Sequence, residues 1–309
     1  MTEKRPNLFI VGAMKAGTTF LSDMLETHPQ ICMSSLKEPH YYDLDIDPKN
    51  FDRKYLVDIE NRKEVTHMGY VRDRAEYMGL WDWEADATYF GEATVSYLFS
   101  KEAPVEICKA CPEAKILILL REPMARAFSH HQMNQAIGLT GQSFEDALRL
   151  ERGTPELGWG QRSLYVDLGL YAEQVKRYQE VFPPEQLRFL TFEVVRNFDA
   201  CRAEMSDFLG LDESLFLLPE NSNSSFKPRF PKLNAFIQET GLKRALRDLF
   251  PRSLVDKGKQ LFYGPKDRLG QETAYLKEIR ALFADDIKET AAVTGLDLSH
   301  WTEEDDLLR

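Results

Sequence analysis

Short apolar runs alternate along this chain with stretches in which apolar residues recur at helical spacing. The runs at residues 8–11, 31–33, 116–120 and 187–192 predict buried strands, and a further strand is predicted to end near 91–94. Helical spacing is found at 20–25, 125–137, 171–182, 198–209 and from 272 to about 290. This alternation predicts an α/β fold with a central parallel sheet flanked by helices.

The carboxyl ends of the predicted strands are the expected place for a ligand. In open parallel sheets, ligands bind in a crevice outside these ends. We therefore expect the polar groups that follow Val11, Met33 and Leu120, and those near Phe90, to converge on one cleft. Because no repeat or low-complexity linker divides the sequence, a single domain over residues 1–309 is predicted, although the length allows two.

Composition and charge argue against a nucleic-acid-binding or membrane-spanning protein. The formal net charge is -11, whereas a nucleic-acid-binding protein normally has a basic excess, so no nucleic-acid partner is predicted. No apolar stretch approaches the roughly 20 residues of a membrane span. The apolar run at 8–14 is followed at once by Lys15, unlike a signal peptide. The four cysteines are read as reduced thiols. We expect a cytoplasmic protein, or a catalytic domain of a larger one.

The segment after the first predicted strand has the pattern of an anion site. It is one continuous turn, composed of Gly12, Ala13, Met14, Lys15, Ala16, Gly17, Thr18 and Thr19. A glycine turn before a helix exposes backbone N–H groups, and the helix dipole favours an anion there. The lysine adds a positive charge and the threonines add hydroxyl donors. The turn therefore predicts a phosphate or sulfate site.

This turn departs from the Walker A motif of ATP- and GTP-binding proteins. That motif places Lys and then Ser or Thr directly after its second glycine, whereas here Thr18 follows Gly17 and the lysine precedes it. The clearest core strand ends in Arg121 rather than in the Asp that helps to hold Mg²⁺ in such enzymes. The pattern favours an anion site without a metal. A magnesium-dependent kinase stays open as an alternative.

Two further clusters follow predicted strands. Arg121 lies at the carboxyl end of strand 116–120, and Ser129 lies two turns into the next helix. A guanidinium fork with a hydroxyl suits a phosphate dianion. Glu38 and His40 lie two residues apart in a segment expected to be extended, so their side chains should point to the same side. Such a pair can accept a proton from a hydroxyl, and a salt-bridged loop is the structural alternative.

These three segments together resemble the sulfotransferases that use 3′-phosphoadenosine-5′-phosphosulfate (PAPS). The turn at 12–19 is similar to their 5′-phosphosulfate loop, and residues 121–129 are similar to their 3′-phosphate site. Residues 37–43 resemble the segment that carries the catalytic glutamate in the heparan-sulfate branch. The resemblance extends from about Pro6 to Leu233 and is weak beyond.

The resemblance implies a cofactor and the residues that bind it. PAPS would be the sulfuryl donor and adenosine 3′,5′-bisphosphate (PAP) the product, with no metal required. Contacts with the cofactor are implied for all eight residues of the P-loop-like turn 12–19, for Arg121 and Ser129, and for Lys227 or Arg229. The last two match loosely, because the glycine of the family is missing there.

The implied reaction transfers a sulfuryl group to an acceptor hydroxyl. Lys15 would stabilise the transferring group, Glu38 would be the general base, and His40 would be its catalytic neighbour. The expected partner is a hydroxyl-bearing small metabolite, lipid, saccharide or acyl chain tethered to a carrier protein. The non-enzymatic alternative is a module that binds PAPS or PAP without turnover, although such a module would be expected to lack Lys15 or Glu38.

Overall fold

A parallel sheet of five strands, in the order β2-β3-β1-β4-β5, lies at the centre of the structure. The computed structural model describes residues 4–51, 69–154, 158–160, 163–219, 227–228, 263–264 and 273–302. The strands of this sheet are β1 (Leu8–Gly12), β2 (Ile31–Met33), β3 (Tyr89–Ala93), β4 (Lys115–Leu120) and β5 (Leu187–Thr191). The α/β fold with a central parallel sheet is confirmed.

Helices occupy the connections between the parallel strands and also follow the last of these strands. In chain order they are α1 (Thr18–Glu26), α2 (Arg74–Met78), α3 (Ala103–Ala110), α4 (Pro123–Ile137), α5 (Phe144–Arg152), α6 (Ala172–Gln179), α7 (Phe192–Arg196), α8 (Phe198–Leu209) and α9 (Ala274–Thr294). Two neighbouring parallel strands need a long connection, because the chain must return to the end of the sheet at which the first strand began, which a tight turn cannot do.

The two central strands are buried along their length. Every residue of β1 is buried, and the residues from Ile116 to Leu120 in β4 have no exposed surface. Helices on both faces of a parallel sheet require strands that are apolar on both sides, which explains the continuous apolar runs in the sequence. The register pairs Ile10 with Ala93 on one side and with Leu117 on the other. The ends of β1, β3 and β4 therefore lie close together.

Several boundaries differ from the sequence prediction. The strand predicted at 187–192 ends at Thr191, because Phe192 begins the short helix α7. The helix predicted at 171–182 is shorter and covers Ala172–Gln179. Asp286 of α9 accepts hydrogen bonds from the N–H groups of Tyr171 and Ala172, at 2.7 and 3.2 Å, and so satisfies backbone groups at the start of α6.

A second, smaller sheet lies beside α4. It pairs β6 (Lys227–Pro228) with β7 (Tyr263–Gly264) in antiparallel orientation, and β6 contacts α4. Apart from these two strands, residues 220–272 lie outside the described residues. Within the described parts of the chain, no helix has the length and apolar character needed to cross a membrane.

Candidate active site

The turn between β1 and α1, which we call the anion loop (residues 12–19), is shaped by two glycines. Gly12 and Gly17 have φ angles of 147° and 94°, which L-residues with a side chain rarely adopt. A Cβ at Gly12 would lie 2.8 Å from Leu98 Cβ, and one at Gly17 would lie 2.9 Å from Val195 Cγ1. Both the backbone conformation and the close neighbours therefore require glycine.

The backbone of the anion loop leaves the first turn of α1 available to a ligand. The N–H of Ala13 donates to the Leu119 carbonyl at 2.6 Å, and the N–H of Ala16 donates to the Ala13 carbonyl at 3.1 Å. These two N–H groups already have partners within the protein and are not offered to a ligand. Gly17 precedes α1, and in the described structure no side chain caps this helix. An uncapped helix start attracts an anion through its N–H groups and its dipole.

Lys15 and Arg121 meet in the anion loop. Lys15 has a φ of 72°, and a non-glycine residue in this left-handed region costs on the order of 1–3 kcal/mol. Its carbonyl accepts a hydrogen bond from Arg121 Nη1 at 3.1 Å, which supports this conformation. Its Nζ lies 3.7 Å from Met133 Sδ on α4. The two basic residues selected from separate sequence motifs therefore belong to one site.

Arg121 contacts two aromatic residues, one through its side chain and one through its backbone. Its guanidinium lies over the Phe192 ring at 4.2 Å, and its own carbonyl accepts a hydrogen bond from the Tyr171 hydroxyl at 2.8 Å. Burial lowers the pKa of Arg121. Its Nε is buried and has no hydrogen-bond partner among the described residues. Because buried N–H groups are almost always paired, this atom is suited to an anionic ligand oxygen.

Ser129 and the strand of Lys227, which are also predicted to bind the cofactor, lie on or beside α4. Ser129 is in the second turn of this helix and is 6% exposed. The strand that contains Lys227 contacts the same helix, so the late basic segment is brought to the α4 side of the site. Arg229 lies outside the described residues.

The start of α4 is fixed by two buried charged residues. Both carboxylate oxygens of Glu122 accept backbone N–H groups, from Met124 at 2.9 Å and from Ala125 at 2.5 Å. Arg126 is fully buried and donates to the Tyr165 carbonyl. Glu122 and Arg126 thus hold the helix and the adjoining loop in place, a structural role.

Glu38 is anchored through its backbone at the end of the sheet. Its N–H donates to the carbonyl of Ala93, the last residue of β3, at 3.0 Å. Its carbonyl accepts from the N–H of Gly69 at 3.3 Å, and the N–H of Val71 donates to the Pro39 carbonyl at 2.8 Å. The side chain of Glu38 remains 16% exposed. The backbone is therefore fixed on two sides while the carboxylate retains some access to solvent.

The extended conformation predicted for this segment is wrong. Glu38 and His40 have φ angles of 55° and 52°, in the left-handed region. Their side chains nevertheless meet, with Glu38 Oε2 at 3.7 Å from His40 Nε2. Two non-glycine residues with positive φ so close together are uncommon, and such conformations concentrate at functional sites.

His40 is buried between carboxylates and an aromatic ring. Its Nδ1 lies 2.7 Å from Asp43 Oδ2 and 2.9 Å from Ser96 Oγ, and the Tyr70 ring stacks on it at 4.2 Å. Burial by itself lowers the pKa of His40, but the charges and hydrogen bonds of Asp43 and Glu38 more than offset this and raise it to about 9. His40 is therefore a cation at neutral pH.

Arg72 binds the other side of Asp43. Its Nη1 donates to Asp43 Oδ1 at 3.1 Å and also to the His40 carbonyl, and its Nη2 donates to the Ile46 carbonyl at 2.8 Å. The buried Asp43 carboxylate is thus shared between two cationic residues. This arrangement fixes the orientation of the His40 ring.

A buried glutamate and a tyrosine position the backbone of the same loop. The hydroxyl of Tyr97 accepts the N–H groups of Tyr41 and Tyr42, at 2.9 and 3.2 Å, and donates to Glu92 Oε1 at 3.2 Å. The Tyr77 hydroxyl also donates to Glu92 Oε1, at 2.7 Å. Burial raises the pKa of Glu92 to about 7. These hydrogen bonds connect Glu92 of β3 to the backbone of the residues that follow His40.

Lys37 connects the Glu38 loop to the anion loop. Its Nζ donates to Thr19 Oγ1 in the first turn of α1. Burial lowers the pKa of Lys37, while the nearby Glu38 and Asp23 act in the opposite direction. The lysine therefore lies between the two groups of residues expected to bind donor and acceptor.

Sequence reasoning missed several residues of this site. The start of the short helix α7 could not be predicted from the sequence, because Phe192 continues the apolar pattern of β5. The residues that contact Asp43 and the backbone at 41–42 come from distant segments of the chain. The sequence features that could have indicated them are the Gly91-Glu92 pair and the hydroxyl-bearing residues at and after the end of β3. The missed side chains are Arg72, Glu92, Ser96, Tyr97 and Phe192.

Among the residues that the structure describes, no group of three or more His, Cys, Asp or Glu side chains is arranged to hold a metal ion.

Comparison with known proteins gives a family and relatives. Residues 6–214 match the family described as the sulfotransferase family. Heparan sulfate glucosamine 3-O-sulfotransferase 6 of Mus musculus is 29% identical over 210 residues, which cover 67% of this chain and 52% of the mouse protein. Bifunctional heparan sulfate N-deacetylase/N-sulfotransferase 3 of Homo sapiens is 28% identical over 216 residues, which cover 68% of this chain and 23% of the human protein. The chain matches about half of the first relative and less of the second.

A solved structure is similar over nearly the whole chain. The crystal structure of a sulfotransferase from Alicyclobacillus acidocaldarius is 29% identical and has a TM-score of 0.69. The similarity covers 97% of this chain and 100% of that one. The resemblance noted in the sequence is thereby confirmed at the level of the family and the fold.

Replacing Tyr97 by phenylalanine should loosen the loop that carries His40. Two backbone N–H groups would lose their acceptor, and an unsatisfied buried group costs about 1–3 kcal/mol. We expect faster hydrogen–deuterium exchange at Tyr41 and Tyr42 and a lower free energy of unfolding in urea. Tyr89→Phe is the matched control, since its hydroxyl donates to the distant Leu209 carbonyl. Unchanged exchange at 41–42 in Tyr97→Phe would contradict this role.

His40 should titrate near pH 9 rather than near its ordinary value of about 6.5. Because the folded-state pKa is the higher one, its stabilising contribution is complete below about pH 6.5 and is lost as the pH rises through about 9. NMR titration of the ring measures this directly. Asp43→Asn should lower the pKa, whereas Asp45→Asn, a neighbouring carboxylate that binds Ser100 and Lys101, should not. A wild-type midpoint near 6.5 would refute the assignment.

Proposed function

The chain belongs to the sulfotransferase family, and from this premise we propose that it transfers a sulfuryl group from PAPS to a hydroxyl of an acceptor. One observation carries the proposal. An uncapped helix start with Lys15 and Arg121 lies at the same edge of the sheet as the Glu38–His40 pair. The first group suits an anionic nucleotide, and the second suits a hydroxyl that must lose a proton.

The anion loop and Arg121 would bind the nucleotide. The first-turn N–H groups of α1 and the hydroxyls of Thr18 and Thr19 suit the 5′-phosphosulfate, while the partnerless Nε of Arg121 suits the 3′-phosphate. Ser129 would assist at the 3′-phosphate, and Lys227 or Arg229 would be the late basic residue that contacts the cofactor. Lys15 would stabilise the negative charge that develops as the sulfuryl group leaves the 5′-phosphate.

Glu38 would be the general base of this reaction. It accepts the hydroxyl proton while the acceptor oxygen bonds to sulfur, and the bond from sulfur to the 5′-phosphate oxygen breaks, so that PAP leaves with the electron pair. The raised pKa of His40 argues that His40 is not the base, since it is already protonated at neutral pH. Instead, its positive charge favours the ionised form of Glu38, and Asp43 orients it.

The two rival functions are less well supported. A magnesium-dependent kinase would need an acidic residue at the end of β4, where this chain has Arg121 in contact with the anion loop. A module that binds the nucleotide without turnover would not need a buried, oriented acid–base group. The Glu38–His40–Asp43 arrangement therefore favours the enzyme.

The acceptor is proposed as a hydroxyl compound: a small metabolite, a lipid, a saccharide or a carrier-tethered acyl chain. The names of the curated relatives refer to heparan sulfate, which supports a saccharide. The net charge of -11 argues against a heparan-like polyanion, because like charges repel at long range.

Binding of PAP should be independent of metal and should depend on Arg121. We expect PAP to raise the melting temperature in the presence of EDTA. Arg121→Ala should weaken PAP binding by about ten- to a hundred-fold, because a charge-assisted hydrogen bond contributes roughly 1.5–3 kcal/mol. Isothermal titration measures both effects.

The control ligand is adenosine 5′-phosphosulfate, which lacks the 3′-phosphate. Its affinity should change far less in Arg121→Ala. Equal losses for both ligands would mean that Arg121 supports only the anion loop. Stabilisation by ATP solely in the presence of magnesium, without any effect of PAP, would refute the proposed function.

Glu38→Gln should separate chemistry from cofactor binding. The substitution keeps the size of the side chain but removes its basicity, so single-turnover sulfation should fall by roughly 10²-fold or more while PAP affinity stays almost unchanged. The assay is sulfuryl transfer from labelled PAPS to compounds in a host extract, followed by mass spectrometry. Near-normal turnover would show that Glu38 is not the base, and joint loss of PAP binding and folding would show that the segment is structural.

A further inference from the structure

Lys37 reaches across the cleft from one functional loop to the other. Its backbone directly precedes Glu38, whose N–H is fixed to the end of β3. Its side chain extends to α1, where Nζ donates to Thr19 Oγ1. The ammonium therefore lies at the uncapped start of a helix, the place that electrostatics favours for an anion.

The surroundings of Lys37 make its charge effective. The side chain is partly buried, and burial lowers its pKa, against the opposing influence of Glu38 and Asp23. Asp23 belongs to the same helix as Thr19, and burial raises its pKa. Charges in such a partly dehydrated place interact more strongly than charges in water.

We propose that Lys37 is a second catalytic lysine, which contacts the transferring sulfuryl group at the point between donor and acceptor. This inference rests on the proposed function. If Thr19 holds the 5′-phosphate, an ammonium bonded to its hydroxyl lies within one hydrogen bond of the phosphosulfate. Glu38, one residue later, lies on the acceptor side. Lys15 and Lys37 would thus stabilise the sulfuryl oxygens from two loops as the sulfur–oxygen bond breaks.

The test compares Lys37→Met with the wild-type protein. Methionine has a similar length but no charge. Single-turnover sulfation should fall by about 10²–10³-fold, the usual loss when one donor to a developing charge is removed. The affinity for PAP, which lacks the sulfuryl group, should change little, whereas the affinity for PAPS should fall. Lys37→Arg, which keeps the charge, should recover part of the rate.

The matched control is Lys115→Met. The Lys115 ammonium donates to the Glu185 carbonyl and lies over the Phe208 ring, at the amino end of β4 and so at the opposite edge of the sheet. Its replacement should alter neither the sulfation rate nor the affinity for PAP. A loss of sulfation in Lys37→Met but not in Lys115→Met would show that the position of Lys37 matters, and not merely the removal of a partly buried lysine.

Three results would overturn the assignment. A Lys37→Met rate within a few-fold of wild type, or equal weakening of PAP and PAPS, would show that Lys37 only supports Thr19. If Lys37→Met does not fold, Lys37→Gln replaces it in the same assays, and wild-type kinetics in that uncharged variant would exclude a close contact with the sulfuryl group. A wild-type protein that binds neither PAP nor PAPS would instead refute the proposed function itself.

Discussion

The common direction of the five strands is the constraint on which the site depends. Because all strands run parallel, their carboxyl ends point toward one edge of the sheet, where the loops that leave neighbouring strands can meet. The register sets Ile10 beside both Ala93 and Leu117, so β3 ends beside Ile10 while β4 continues to Leu120. Residues more than a hundred positions apart in the chain, such as Lys15 and Arg121, are thereby brought into contact.

Tight backbone contacts convert this proximity into a defined geometry. The anion loop is bonded to the end of β4 through Ala13, and the Glu38 loop is bonded to the end of β3. Charged side chains then connect separate segments by hydrogen bonds: Arg121 donates to the Lys15 carbonyl, and Arg72 donates to the Asp43 carboxylate. Each of these bonds also satisfies a polar group that would be costly to bury alone. The same interactions therefore stabilise the fold and orient the site.

The sequence alone predicted the sheet, the anion loop and the principal charged residues, because each has a local signature. Apolar runs mark β1 and β4, two glycines mark the loop, and Arg121 directly follows a strand. The remaining features depend on distant parts of the chain. The left-handed conformation of Glu38 and His40 occurs where residues 69–72 bond to the backbone of this loop, and α7 begins inside an apolar run that continues through Phe192. Burial of Glu92 and the contact of Lys37 with Thr19 likewise have no short-range pattern.

The bond from Arg121 to the Lys15 carbonyl has a thermodynamic consequence. One guanidinium supports the backbone of Lys15 with Nη1 and keeps Nε for another partner. Any ligand oxygen that draws the guanidinium toward itself also acts on the conformation of the anion loop. In the proposed nucleotide site, the ends that would bind the 5′-phosphosulfate and the 3′-phosphate would then be coupled, and such coupling is reciprocal, so that occupation of either end would change affinity at the other by the same factor. A bisphosphate would in this way be distinguished from a monophosphate by cooperativity between its two ends, in addition to the sum of its contacts.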